Sequence, residues 1–512
     1  MRVIANAPWW LISAGLHVVL AMLTMLVVIE REMQMEIVSC PIVVRDVDPL
    51  LPPDPPPVPG VRPDGTPRPD GAAPLDEIPF VFDPRATRGN HFESDDNADG
   101  HDIRGDSETF RSFRPGESGS LLGTTGKNKG STDTLGVGTG AGGSGKFGKR
   151  GKGGKENIIP DLRKGPPRGT QDALLAALTW LKRHQSADGS WRAAGFHTNC
   201  ACTDDGAADY DVGLTGLALL AFLGDGHTQY SRDDNGFGDV VKRAIRWLLS
   251  QQDPEGCIGD RGSKHMYNHA IAALALCEAF GMSGSEPLRA PAKKAIDFLA
   301  AARNPGAGWR YGSRCGDSDT SVTGWAVMAL KSAELSEIDV PRDAFTDALA
   351  WIEKATDGSG YYGVGYTSRG LQTVFVPGKN EHFDSHPAMT AVGMLSRVFI
   401  QRKRVPELAA SELLLADLPA WEANKTDFYY WYYGSLAMFQ VDGPKGVQWK
   451  KWSDAVVKAL LGHQVATGCA AGSWDCKEEH WGFEGGRVYA TAINALTLEV
   501  YYRYDVVFGT KR

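Results

Sequence analysis

The sequence predicts an all-α double ring of helices, an (α/α)6-type toroid, set behind one transmembrane helix and a disordered linker. Three observations predict it. From Thr170 onward, one amphipathic and one almost wholly apolar helical segment recur as a pair about six times. An uncharged apolar run stands near the amino terminus. Between the two, Pro and Gly crowd a stretch whose apolar residues are too sparse to offset the entropy of ordering its backbone.

The anchor comes first, within residues 1–36. From Pro8 to Ile29 the chain reads PWWLISAGLHVVLAMLTMLVVI, without a formal charge. A helix of about 22 residues is roughly 33 Å long and crosses a hydrocarbon core of about 30 Å. A cleaved signal peptide would have an apolar region of about 7–15 residues ending at a small-residue site. EREMQMEIV, which follows Ile29, offers no such site. Trp9 and Trp10 suit an interface, and Arg2 lies before the span while Glu30, Glu32 and Glu36 outnumber Arg31 after it. The expectation is a single-pass protein of the cytoplasmic (inner) membrane with its bulk on the extracytoplasmic, periplasmic side.

Residues 37–169 form the linker. LLPPDPPPVPG (Leu50 to Gly60) favours extended polyproline geometry. An acidic block from Glu93 to Asp106 and a Gly-rich basic block from Lys146 to Lys155 follow, and such blocks are solvated. The basic block has a headgroup or polyanion contact as its alternative reading. Lys+Arg 54 against Asp+Glu 62, a net charge of −8, argues against a nucleic-acid partner.

The toroid occupies 170–512. Its amphipathic segments are AALTWLKRHQ, AIRWLLSQQ, AIDFLAAAR, ALAWIEKAT and VVKALLGHQ, anchored at Trp180, Trp247, Phe298, Trp351 and Leu460. Glu407 to Leu418 is the candidate for the missing outer helix of the fifth pair. Gly-containing turns such as SADGSW and AAGSW follow, because Gly takes the left-handed cap conformation without steric penalty. The second segments, among them DVGLTGLALLAFL, NHAIAALALCEAF and YATAINALTLEVYY, are apolar nearly all round and so should be buried as an inner ring.

TWLKRHQSADGSW (Thr179 to Trp191) resembles the Gln–Trp repeat of squalene and oxidosqualene cyclases, and the unit is similar to the repeats of protein prenyltransferase β subunits. The resemblance implies a terpenoid-cyclase/prenyltransferase toroid in which Gln185 and Trp191 brace adjacent helices. The anchor resembles those of the TonB/TolA type, through Ser13 and His17 on one helix face ahead of a proline-rich spacer. That likeness implies docking on a motor complex; one tolerated Ser–His hydrogen bond is the plainer reading.

The starts of the inner helices converge on one mouth. They carry Tyr210 and Asp211, Tyr267 and His269, Asp317 and Asp319 with Trp325 beyond, His386, Tyr429, Tyr430 and Tyr433, and Tyr489. Tyr and Trp faces attract cations by about 0.5–2 kcal/mol each, and they also stack on sugars or pack a helix core. Asp317-Ser-Asp319-Thr320 resembles the Asp-x-Asp-Asp-Thr motif of class II terpenoid cyclases, which implies Asp319 as proton donor with Asp317 as its partner. Thr320 stands where that motif has a third acid. The prenyltransferase likeness implies instead a divalent metal at Asp317, Asp319 and His386, although a carboxylate in place of the family's thiolate favours harder ions than zinc. Structurally, Asp319 before TSV is also an ordinary helix N-cap, and His386 before Pro387 a helix entry.

Eight cysteines are present. Cys200-Ala-Cys202, near His197 and Asp204, would bind a metal, or the cysteines would form disulfides on the extracytoplasmic side. No Gly-x-Ser-x-Gly arrangement appears, so the pattern gives no support for nucleophilic hydrolysis. The leading expectation is a toroid holding an isoprenoid-like apolar ligand in an aromatic cavity, with Asp-mediated protonation if it is catalytic. The alternative is a non-catalytic scaffold binding a peptide, glycan or envelope protein partner. A polysaccharide lyase or hydrolase is the weaker alternative.

Overall fold

The computed structural model describes residues 167–503, apart from 199, 263, 359–361 and 402–404. The predicted anchor, with Ser13 and His17, and the linker up to 166 lie outside the described residues. Among the described residues no helix is long and apolar enough to cross a membrane. They contain no β-strand, only isolated bridges between turns.

Six helix pairs follow one another. They are α1 (Thr170–Arg183) and α2 (Asp211–Gly224), α3 (Phe237–Ser250) and α4 (His265–Ser283), and α5 (Glu286–Ala302) and α6 (Thr320–Leu335). Then come α7 (Arg342–Ala355) and α8 (Ala388–Gln401), α9 (Val405–Ala416) and α10 (Phe428–Asp442), and α11 (Val447–His463) and α12 (Gly482–Leu498), with a short α13 (Val500–Arg503). The second members form a closed ring: α2 packs on α4, α4 on α6, α6 on α8, α8 on α10, α10 on α12, and α12 back on α2. The first members pack against that ring, each mainly on one or two of its helices. The fifth outer helix starts two residues before the expected Glu407.

Burial explains the division of labour. In α10, Phe428 through Val441 are all buried, as an apolar helix inside a ring must be. In α3 only one stripe is buried, formed by Val240, Val241, Ala244, Ile245 and Leu248 with the first turn. Leu181, Leu248, Leu299, Ile352 and Leu460 are completely covered, each stabilising its pair by about 1.5–3 kcal/mol. The aromatic residue just before them is less constant. Trp180 and Trp351 are buried, whereas Trp247 and Phe298 are only partly so, because one residue along a helix rotates the side chain toward the stripe's edge.

The turns repeat their own hydrogen bonds. The indole N–H groups of Trp191, Trp309 and Trp474 donate to the carbonyls of Leu181, Leu299 and Leu460, each at 2.8 Å. Gln185 donates to its own turn at Gly189 and to Val240 of α3, both at 3.0 Å. Gln252 does the same to Gly256 at 3.2 Å and to Pro291 of α5 at 3.0 Å. Gln464 reaches Gly472 at 2.9 Å and Ala173 of α1 at 2.8 Å, so the last turn is tied to the first helix. Gly189 and Gly472 have φ of 98° and 95° and lie so close to the next outer helix that a Cβ would strike the carbonyl oxygens of Arg243 and Ala176.

The inner helices run parallel. Their starts touch one another, as where the Asn268 carboxamide oxygen accepts from the Gly213 amide. Their ends meet at Arg503, which bonds to the Leu220 carbonyl at 3.0 Å and to the carboxylates of Glu278 at 3.2 Å and Glu499 at 3.3 Å. All three charged side chains are fully buried. Arg503 therefore ties together the ends of α2, α4 and α12, at the opposite end of the ring from the helix starts.

Candidate functional site

At the starts of the inner helices, tyrosines are held through their hydroxyls. Ser321, in the first turn of α6, lies 2.8 Å from the Tyr429 hydroxyl and donates to that of Tyr267 at 3.4 Å. The Trp325 indole donates to Tyr267 at 3.2 Å, and its ring stacks on Tyr432 at 5.8 Å and meets Tyr433 edge-on at 5.4 Å. Tyr267 and Tyr489 keep partial exposure, while Trp325, Tyr429 and Tyr433 are buried beneath them. The Tyr489 hydroxyl is buried with no hydrogen-bond partner. Burial pushes the Tyr267 phenol up to about 12, and those of Tyr429, Tyr433 and Tyr489 well above their usual value. These phenols are thus neutral at physiological pH.

Asp319 sits at the start of α6 with no exposed surface. One carboxylate oxygen accepts from the Val322 amide at 2.7 Å, which is an N-cap, and the other has no hydrogen-bond partner. Burial, reinforced by Asp317, pushes this carboxyl up to about 7 against the pull of the Val322 amide and Arg310. Asp317 itself turns to the rim, half exposed, where Arg310 binds it. Tyr311 and Tyr366, which the motif reading missed, join hydroxyls at 2.6 Å beside Asp319. Tyr210 accepts from Lys264, which also pairs with Glu484 at 2.9 Å.

Four expected lining residues serve elsewhere. His386 stacks on Tyr430 at 5.2 Å, its Nδ1 lies 2.5 Å from Asp417, and its Nε2 donates to the Lys425 carbonyl at 2.7 Å. With both ring nitrogens facing oxygen acceptors, it has no lone pair to offer a metal. Although burial opposes the charge, Asp417 and its neighbours hold the imidazole above its ordinary value. Tyr430 donates to the Asp417 carbonyl at 2.9 Å and packs edge-on against Trp452 of α11, so it faces the outer ring. His269 is fully buried, accepting from the Ile258 amide at 3.1 Å and donating to Ala295 of α5 at 3.0 Å. Thr215, Thr323 and Thr390 accept turn amides in the same way in α2, α6 and α8, so His269 fills a bracing position of the repeat. Asp211 accepts from the Ala193 amide at 2.9 Å, another turn brace.

The candidate metal set of Asp317, Asp319 and His386 therefore does not assemble: one member is salt-bridged at the rim, one caps a helix, and one is spent on both nitrogens. A second acidic centre went unread in the sequence. Glu479 is buried, accepts from the amides of Phe428 at 3.2 Å and Trp481 at 2.9 Å, and is pushed well above the usual carboxylate range by burial and Asp427. Asp427 caps α10 through the Tyr430 amide at 2.9 Å. Only the pairing of an acid with the following aromatic run hinted at this cap.

Several known proteins show a distant similarity to this chain. Its shape is similar to an alpha-amylase from Clostridium perfringens, at 13% identity and a TM-score of 0.44 over 66% of this chain and 99% of that one. A protein from Actinoplanes gives 13% identity and 0.38 over 65% and 99%. An inactive variant of an alpha-1,6-mannanase from Salegentibacter sp. HEL1_6, in complex with alpha-1,6-mannotriose, gives 10% and 0.45 over 65% and 98%. Likeness at this level carries no weight for activity. No curated protein matches the sequence significantly. The family model of the squalene-hopene cyclase C-terminal domain matches residues 229–394, so across α3 to the first half of α8 the toroid is terpenoid-cyclase-like.

Proposed function

We propose that this chain is a membrane-anchored, extracytoplasmic toroid whose mouth binds an uncharged, isoprenoid-like apolar ligand against tyrosine faces, without protonating it. One observation carries the reading: Asp319 has no exposed surface and spends an oxygen on capping α6, while Tyr267 and Tyr489 at the starts of other inner helices keep partial exposure. A proton donor to an alkene must reach the substrate, and its motif partner Asp317 is occupied by Arg310 at the rim. Burial raises the Glu479 carboxyl well above its usual range and the phenols are neutral, while the charges at the helix starts are held in pairs, Lys264 with Glu484 and Arg310 with Asp317. Such a lining suits an apolar chain with a small polar end.

The test is mass spectrometry of ligands retained by the purified protein. Asp319→Asn is expected to retain the same isoprenoid-like species as the parent, and Tyr267→Ala with Tyr489→Ala to lose most of it. Conversion of a linear polyprenyl substrate by the parent but not by Asp319→Asn would refute the non-catalytic reading. A retained oligosaccharide in place of a lipid would refute the ligand class.

A further inference from the structure

A cluster of sulfur and imidazole ligands lies apart from the mouth, at the seam where the ring closes. His184 is the residue just past α1, and its Nε2 lies 3.2 Å from the Cys200 sulfur and 3.5 Å from that of Cys202. The Cys202 sulfur lies 3.3 Å from that of Cys469, which is 267 residues later in the turn after α11. Among the described residues, His184, Cys200 and Cys202 are the set whose ligand atoms converge within 4.8 Å, and Cys469 adds a fourth. We propose that His184, Cys200, Cys202 and Cys469 form a tetrahedral Cys3His zinc site that clasps the first repeat of the toroid to the last.

The contacts of His184 with Cys200 and Cys202 are close to those of a loaded site. Zinc bonds of about 2.3 Å to sulfur and about 2.0–2.1 Å to nitrogen place tetrahedral sulfurs about 3.8 Å apart, and nitrogen about 3.5 Å from each sulfur. Closing the cluster on an ion therefore needs the Cys202–Cys469 approach to open by about half an ångström and the exposed Cys469 turn to carry its sulfur toward the other ligands, which by themselves converge within 4.8 Å. The surroundings already orient the ligands. Nδ1 of His184 donates to the Trp180 carbonyl at 2.8 Å, which leaves the Nε2 lone pair facing the sulfurs, and Trp180 stacks on the ring at 4.0 Å. The Cys202 amide donates to the Cys200 sulfur at 3.3 Å, as amides do to metal-bound thiolates. Arg183 bonds to the Ala471 carbonyl at 2.9 Å and holds the Cys469 turn against the end of α1. The sequence pointed to Cys200 and Cys202 but to the wrong companions: His197 pairs with Asp205 at 3.2 Å, and Asp204 pairs with Arg487.

Loading involves no oxidation. Each of three S–H groups gives its proton to solvent, the neutral imidazole keeps its Nδ1 proton, and four bonds form to one zinc ion. Four ligands from the protein leave no open position, so the site is structural and fastens the seam that Gln464 also crosses.

The test is elemental analysis of the full-length protein grown with zinc, together with the absorption of the protein refilled with cobalt(II). About one zinc per chain is expected, with thiolate-to-cobalt charge transfer and intense tetrahedral d–d bands in the cobalt form. Cys469→Ser should lower zinc content or hasten its loss to a chelator at least tenfold, whereas Cys315→Ser, outside the cluster, should behave as the parent. The cobalt spectrum of the parent decides the matter even if Cys469→Ser fails to fold. Zinc at background in the parent, an octahedral cobalt spectrum, or a Cys202–Cys469 disulfide in peptides mapped without reductant would each overturn the proposal.

Discussion

Asp319 shows how one residue can match a motif and still serve the backbone. It ionises near 3.8 in an unfolded chain but at about 7 in the fold, so between those values the folded state holds the extra proton. Stability must then fall as pH rises through that window and level off above it. Asn also caps helices well, and Asp319→Asn keeps the acceptor for Val322 while removing the buried charge. From pH 4 to pH 8 the stability of Asp319→Asn relative to the parent should move in the variant's favour by about 4 kcal/mol, read from denaturant unfolding at both values. An unchanged difference would mean that Asp319 is not held protonated. The start of α6 was readable because an acid before TSV is a strong helix signal. The facing of His269 and Tyr430 was not. A helix buried on every side, like α4 or α10, carries no polar stripe to show which residues look inward.

At the scale of elements, the Gln and Trp of the repeat behave as braces, and the bonds recur with the same partners from one turn to another. That regularity made the helix pairs legible: an amphipathic stripe, a Gly turn and an apolar helix are local signals, repeated. The fifth pair was hardest to see because VPELAASELLLA in α9 lacks the aromatic–Leu landmark. Gln464 is the brace with the most consequence, since it alone of the three described here joins the last turn to the first helix. Gln464→Ala strands the carbonyls of Gly472 and Ala173 and should cost about 1–3 kcal/mol in denaturant unfolding. Gln252→Ala, which removes the equivalent bonds within the ring, should cost a similar amount. If Gln464→Ala were neutral while Gln252→Ala was costly, the seam would not depend on this bond.

For the whole molecule, closure makes the ring. α12 packs back on α2, and Arg503 sits between Glu278 and Glu499 at the far end from the helix starts. Arg503→Ala withdraws the guanidinium from two buried carboxylates and should destabilise the toroid by about 3–5 kcal/mol, measured by urea unfolding. The Arg503 tie was not visible in the sequence, and of the sulfur clasp only Cys200-Ala-Cys202 was, because each joins residues more than two hundred positions apart with no spacing rule between them. The ring of apolar helices was visible; what the ring encloses depended on contacts across it. The binding reading comes down to whether Tyr267 and Tyr489 meet an apolar ligand. Calorimetric titration of the purified protein with a polyprenyl alcohol tests this most directly. Saturable binding with a negative heat-capacity change is expected, weakened at least tenfold by Tyr267→Ala with Tyr489→Ala and untouched by Phe345→Ala on outer helix α7. Binding of equal strength in all three proteins, or no binding in the parent, would contradict it.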